Sequence, residues 1–263
     1  MSEQITVPTM AEYMAQGKSP EVLFWVGCAG SFDDRAKKIT KAFAKLLNNA
    51  KVDFAVLGTE ESCTGDPAKR AGNEFLFQMQ AMMNIEVLNG YGIKKIVTTC
   101  PHCFNTLKNE YPELGGDYQV MHHTQFLKSL LNEGRLKVEG GKFKGKRITF
   151  HDPCYLGRAN NEYEAPRELL QKLEVELVEM KRCKSRGLCC GAGGAQMFKE
   201  PEKGDKDINI ERTEEAMETQ PEIIAAGCPF CNTMMSDGVK GKHKEDSIEV
   251  MDVAEMIANA TEL

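Results

Sequence analysis

Ile148-Thr149-Phe150-His151-Asp152-Pro153-Cys154 is an apolar run of strand length that is cut by a proline and delivers a cysteine. Val22-Leu23-Phe24-Trp25-Val26-Gly27-Cys28 does the same 126 positions earlier. Further along, Ile223-Ile224-Ala225-Ala226-Gly227-Cys228-Pro229-Phe230-Cys231 matches Ile96-Val97-Thr98-Thr99-Cys100-Pro101-His102-Cys103, with the cysteines 128 positions apart. Between these pairs Cys63 answers to Cys189 at 126, and the strand Ile248 to Met251 follows Tyr118 to Met121 at 130. One internal duplication accounts for the whole series.

Strands that read as continuous apolar runs are buried on both faces, which is the signature of parallel sheets covered by helices. The intervening segments supply those helices. Asp33 caps one that runs to Asn48 with Ile39, Phe43, Leu46 and Leu47 on one face. Phe54 to Leu57 is a second strand, and Pro67 opens a helix carrying Phe75, Leu76, Met79, Met82 and Met83, a stripe read as flexible core packing. A helix follows Pro101 to Glu110, and Thr124 caps another over Gln125 to Asn132. The fold class is therefore α/β, with two pseudo-symmetric duplicated halves, each a mostly parallel sheet with flanking helices. The expected division is a polar lead-in at 1–20, a first repeat at 21–138, a glycine-rich basic linker at 139–146 and a second repeat at 147–263. In such sheets ligands gather beyond the carboxyl ends of the strands. Cys28, Cys100, Cys154 and Cys228 all stand at that end.

The 263 residues carry a net charge of −6, with 41% hydrophobic and 27% charged residues. That balance fits a soluble globular protein and gives no reason to expect nucleic acid as a partner. No run approaches the ~20 apolar residues that cross a bilayer, and the acidic start has no basic-then-apolar order of a secretory signal. The expected compartment is the cytoplasm, where ten cysteines favour metal or redox chemistry over disulfides.

Cys154, Cys189, Cys190, Cys228 and Cys231 form the densest set. Five soft thiolates exceed what one tetrahedral zinc takes, and adjacent Cys189 and Cys190 suit different irons, so an iron–sulfur cluster of enlarged or non-cubane type fits. A four-cysteine site with one bystander thiol is the alternative. Gly191, Gly193 and Gly194 let the backbone turn close to such a group, and His151 is placed to hydrogen-bond a sulfur or move a proton, in the manner of an outer-shell partner. In the first repeat Thr64 stands where the second has Cys190. The remaining Cys28, Cys63, Cys100 and Cys103 suit a [4Fe–4S] cube or structural zinc. Cys183, in the basic loop Lys181 to Arg186, has no counterpart and reads as a surface or packing thiol. His102, His122 and His123 fall near strand ends and read as hydrogen-bonded core or outer-shell residues rather than ligands.

The duplicated order of a cysteine, a Cys-Cys-Gly and a Cys-Pro-x-Cys resembles the cysteine-rich (CCG) domain of the heterodisulfide reductase B-subunit family, which also covers iron–sulfur subunits of glycolate and lactate oxidation. The resemblance implies a non-cubane [4Fe–4S] cluster on Cys154, Cys189, Cys190, Cys228 and Cys231. The wording around Glu61 to Pro67 and Thr99 to Leu107 resembles more closely the C-terminal part of membrane-associated iron–sulfur oxidoreductases that link electron-transfer flavoprotein to quinone. In that branch a membrane segment and a ferredoxin-like region precede this part, which implies that a separate subunit supplies them here. The expected role is an electron-transfer subunit of a multi-subunit oxidoreductase, working between a flavin-containing or ferredoxin-type partner and a quinone-linked or sulfur acceptor. Membrane contact is expected only through a partner, at the inner face. The rivals are a catalytic reductase that cleaves a disulfide at the cluster and a zinc-stabilised binding module.

Overall fold

The computed structural model describes residues 5–200 and 203–263; the first four residues of the expected lead-in lie outside them. Two four-stranded parallel sheets are built from β1 (Val22–Trp25), β2 (Phe54–Ala55), β3 (Lys95–Thr98), β4 (Gln119–His122), β5 (Arg147–Phe150), β6 (Glu176–Leu177), β7 (Ile223–Ala226) and β8 (Glu249–Asp252). The first sheet runs β2-β1-β3-β4 and the second β6-β5-β7-β8. Each chain order reverses beside its first strand, so β1 and β3, like β5 and β7, flank a topological switch point. The registers match as the duplication requires: Leu23 pairs with Ile96, and the equivalent Thr149 with Ile224.

Alternation along each strand divides the core into three. Val22 and Phe24 face the same packed cluster as Ile148, Phe150, Ile223 and Ala225, so the two sheets share a central core. Between them, helix Asp34–Asn49 packs on helix Val253–Ala260, and helix His123–Asn132 on helix Glu164–Lys172. Leu23 and Trp25 face an outer core under helix Glu74–Gly90, and Ile224 and Ala226 face another under helices Ile208–Met217 and Pro229–Gly241. Phe143, inside the expected linker, is buried in the central core on a short 3-10 turn. The lead-in does not trail away either. Thr9 bridges to Val56 beside the edge strand β2 and caps helix Met10–Ala15, whose Met10 is buried.

Asp33 caps its helix as expected, accepting from the Ala36 N–H at 2.7 Å. Other details differ. The second strand stops at Ala55. β4 runs to His122, because Thr98 pairs with it, and the next helix therefore starts at His123 rather than behind Thr124. The largest correction concerns the methionine stripe: Phe75, Met79, Met82 and Met83 are 76%, 45%, 61% and 59% exposed. Helix Glu74–Gly90 is apolar on both sides, and the sheet can cover only one. Phe77, Ala81, Ile85 and Leu88 take that side, which leaves the methionines outside.

Candidate metal centre

The strand ends place the cysteines. Cys28 is the second residue of the short helix Gly27–Phe32 after β1, Cys100 follows β3, and Cys63 comes from the loop after β2; Cys154, Cys228 and the Cys189–Cys190 pair take the matching places after β5, β7 and β6. Pro101 and Pro229 each open a helix, where a missing N–H costs nothing. All ten cysteines are free thiols.

In the second repeat Cys190 Sγ lies 3.3 Å from Cys231 Sγ, and Cys154 Sγ lies 3.9 Å from Cys189 Sγ. The Cys231 N–H points at Cys228 Sγ at 3.5 Å, as expected at a helix start where free N–H groups favour thiolate. Cys154, Cys189, Cys190, Cys228 and Cys231 are thus linked through successive neighbours. Donation from Cys154 and Cys190 holds the Cys189 thiol far below its ordinary value. The same donation to Cys189 pushes Cys190 up to about 12. In the first repeat Cys28, Cys63, Cys100 and Cys103 line one cleft with Thr64 and Phe230. Donation from Cys28 lowers Cys63 to about 7, and donation from Cys103 and Cys228 lowers Cys100. Grouped soft donors, several shifted toward thiolate, fit a metal–sulfur group in each repeat.

Two glycines complete the repeat symmetry. Gly65 and Gly191, each two residues after a cysteine, have φ of +88° and +92°. Each turns its N–H onto the preceding sulfur, at 3.5 Å to Cys63 and 3.3 Å to Cys189. A Cβ on Gly65 would come within 2.8 Å of the Phe77 ring. Asn84 and Tyr111 hold the first loop from behind: Asn84 Nδ2 donates to the Cys63 carbonyl at 2.9 Å, and the Tyr111 hydroxyl donates to the Thr64 carbonyl at 3.1 Å. Neither residue stood out in the sequence, because ordinary polar residues on helices carry no motif.

The sequence places one site in each repeat. The structure brings the two together: helix Pro101–Asn105 packs on helix Cys154–Gly157, helix Gly27–Phe32 meets helix Pro229–Gly241, and Phe230 lines the cleft of the first-repeat cysteines. His102 crosses the same boundary, stacking on Tyr155 at 4.3 Å between ring centroids and meeting Phe230 edge-on. Burial opposes charge on His102, but Asp66 at 2.8 Å outweighs it and raises the imidazole above its ordinary value. His122 and His123 are fully buried, with His122 bonded to Thr124 and His123, and His123 to Asp252 of the other repeat. These pairings are structural roles of the expected kind. Cys183 lies apart on its half-buried loop, and its neighbours are not a free basic face: Arg182 pairs with Glu211 and Glu215, and Lys184 with Glu164.

His151 is the histidine that reaches the sulfurs. One of its ring nitrogens, Cys190 Sγ and Cys231 Sγ lie within 4.8 Å of one another. Its Nδ1 accepts from Arg212 Nε at 3.0 Å, while its buried Nε2 has no protein partner among the described residues. Burial, reinforced by the Arg212 charge, lowers its pKa to about 3, so the ring is neutral.

Comparison with known proteins agrees with this geometry. The profile of the cysteine-rich domain (CCG) family matches residues 22–108 and 148–236. The chain is 48% identical over 255 residues to the "Probable iron-sulfur-binding oxidoreductase FadF" of Bacillus subtilis, covering 97% of this chain and 36% of that protein. It is 47% identical to the "EtfAB:quinone oxidoreductase" of Syntrophomonas wolfei, over 94% of this chain and 35% of the relative. A component of the dihydromethanophenazine:CoB–CoM heterodisulfide reductase of Methanosarcina barkeri is 35% identical over 91% of this chain and 59% of its own length. The chain thus spans little more than a third of the first two relatives. The duplicated cysteine pattern, the paired sheets and the two profile matches identify the chain as a member of the cysteine-rich domain (CCG) family, with two copies of the domain.

Proposed function

We propose that this chain is an iron–sulfur electron-transfer unit of a larger oxidoreductase. Cys154, Cys189, Cys190, Cys228 and Cys231 would hold a non-cubane [4Fe–4S] cluster, and Cys28, Cys63, Cys100 and Cys103 a second [4Fe–4S] cluster or a zinc ion. Such a cluster supplies one-electron redox capacity. The protein contributes N–H groups aimed at sulfur, from Gly65, Gly191 and Cys231, and burial that limits water; both tune a potential. The observation that carries the reading is the closeness of the two sets: the short helix Pro101–Asn105 packs on Cys154–Gly157, and Phe230, between Cys228 and Cys231, lines the cleft that holds Cys28, Cys63, Cys100 and Cys103, which makes the two sets adjacent stations rather than separate sites. Relatives named for electron-transfer flavoprotein, quinone and a membrane-anchored ferredoxin support a flavin-containing or ferredoxin-type partner on one side and a quinone-linked acceptor on the other. In this reading the chain meets the membrane through a partner, at the cytoplasmic face, which the relative named a membrane-anchored ferredoxin supports; no helix among the described residues is long and apolar enough to cross a membrane. Thr64, buried where the second repeat has Cys190, leaves the first set one thiolate short of a matched five-cysteine pair. That departure weighs against disulfide cleavage by two such clusters.

The test is iron, acid-labile sulfide and zinc analysis with EPR on anaerobically purified protein and on Cys190→Ser. About four irons per chain with zinc would mark one cluster and one structural ion, and about eight would mark two clusters. In either case Cys190→Ser changes the EPR signal of the second-repeat cluster. Zinc alone in the wild type overturns the proposal in favour of a binding module.

A further inference from the structure

Arg212 is fully buried on helix Ile208–Met217, and it is committed on several sides. Its Nη1 donates to the Arg182 carbonyl at 2.8 Å and to Glu215 at 3.1 Å, and its Nε donates to His151 Nδ1. A guanidinium has no acceptor and does not lose its proton in proteins. His151 Nδ1 must therefore present its lone pair, and in a neutral ring the single proton then sits on Nε2. That nitrogen is the one without a partner. A protonated Nε2 cannot coordinate a metal, but it can donate a hydrogen bond. The ring lies beside Cys190 and Cys231.

The first repeat has the same arrangement with different chemistry. The position equivalent to His151 is Trp25, three residues before Cys28 as His151 is three before Cys154. Its indole Nε1 is a donor only, fully buried and without a partner among the described residues, and the ring packs in the cluster that holds Cys100 and Cys103. Buried N–H donors are satisfied in the great majority of cases. Two unspent donors at the same position of both repeats, His151 within reach of Cys190 and Cys231 and Trp25 in the packed core that includes Cys100 and Cys103, point to acceptors that the described residues do not supply.

We infer that His151 is not a ligand but a positioned N–H donor to a sulfur of the second centre, that Arg212 fixes the tautomer that makes it one, and that Trp25 does the same work in the first centre. This rests on the reading that the cysteines hold iron–sulfur groups. A hydrogen bond to sulfur stabilises the reduced, more negative state and so raises the reduction potential.

Two measurements on the full chain separate this inference from the cluster reading. Long-range 1H–15N NMR of the metal-free protein is expected to show His151 as the Nε2–H tautomer in the wild type and as a mixture in Arg212→Met. An Nδ1–H ring in the wild type overturns the tautomer lock, whatever the metal content. In the iron-loaded protein, EPR-monitored titration is expected to show a lower midpoint potential in His151→Phe with iron and sulfide unchanged. His151→Gln, which returns an N–H near the Nε2 position, recovers part of the shift; Trp25→Phe lowers the potential of an iron-loaded first centre only, and zinc in the first centre overturns the role of Trp25 alone. With 15N-labelled histidine, the pulsed-EPR coupling is expected to be the weak one of a hydrogen-bonded nitrogen. Loss of iron in His151→Phe, or a strong directly bonded nitrogen coupling, overturns the donor role in favour of ligation. An unshifted potential in iron-replete His151→Phe overturns the donation alone, and a wild type without iron overturns the cluster reading beneath it.

Discussion

Asp152 lies between the donor His151 and the ligand candidate Cys154, and it shows how single charges hold this site. Its carboxylate receives Arg167 through two bonds of 2.8 and 2.9 Å, with both side chains 4% exposed, and it accepts the Lys184 N–H at 2.6 Å. One aspartate thereby ties the end of β5 to helix Glu164–Lys172 and to the loop that leads to Cys189. Replacing Arg167 with methionine leaves a buried carboxylate without its cation, an operation that costs about 3–5 kcal/mol. The expected result in urea denaturation is a loss of that order, with faster proteolytic nicking at Arg182 and Arg186 in the loosened loop. A change within ~0.5 kcal/mol would show that Asp152 finds another partner.

Helix Glu74–Gly90 carries the corresponding lesson for an element. Its sequence suggests methionines packed inward, and the opposite side packs instead. The two sides therefore respond differently to substitution. Met79→Gln, Met82→Gln and Met83→Gln each remove exposed apolar surface and should change stability by no more than about 0.5 kcal/mol. Phe77→Ala opens a cavity under the Cys63 loop, where Gly65 already touches the ring, and should cost about 3–5 kcal/mol. Thermal or denaturant unfolding of the four variants distinguishes the faces. A methionine variant as damaging as Phe77→Ala would return the stripe to the core.

For the molecule as a whole, the shared central core means that neither repeat completes its packing alone. Phe43, Leu47 and Phe126 of the first repeat lie in one cluster with Leu169, Met256 and Ile257 of the second. Arg35 joins Glu255 through two bonds of 2.7 Å and reaches the Val250 carbonyl at 2.9 Å, and His123 bonds Asp252. Unfolding of the reduced, metal-free chain is expected to be one cooperative transition. The single tryptophan, Trp25, makes the check simple, since its fluorescence reports the first repeat while far-UV circular dichroism reports both. The two curves should coincide. A separate earlier or later fluorescence transition would mean that the repeats are independent folding units.

The amino-acid order alone determined the parallel α/β class, the duplication and the delivery of Cys28, Cys100, Cys154 and Cys228 to strand ends. These follow from local pattern: continuous apolar runs, prolines at helix starts and fixed spacing between cysteines. Tertiary structure decided what depends on which surfaces meet. It turned Met79, Met82 and Met83 outward, because a sheet covers only one side of a helix that is apolar on both. It put the helix that follows Cys100 against the one that begins at Cys154, because two sheets packed through a common core bring their carboxyl ends together. It also set Arg212 against His151, 61 residues apart, and a hydrogen bond of that span leaves no period or motif in the chain.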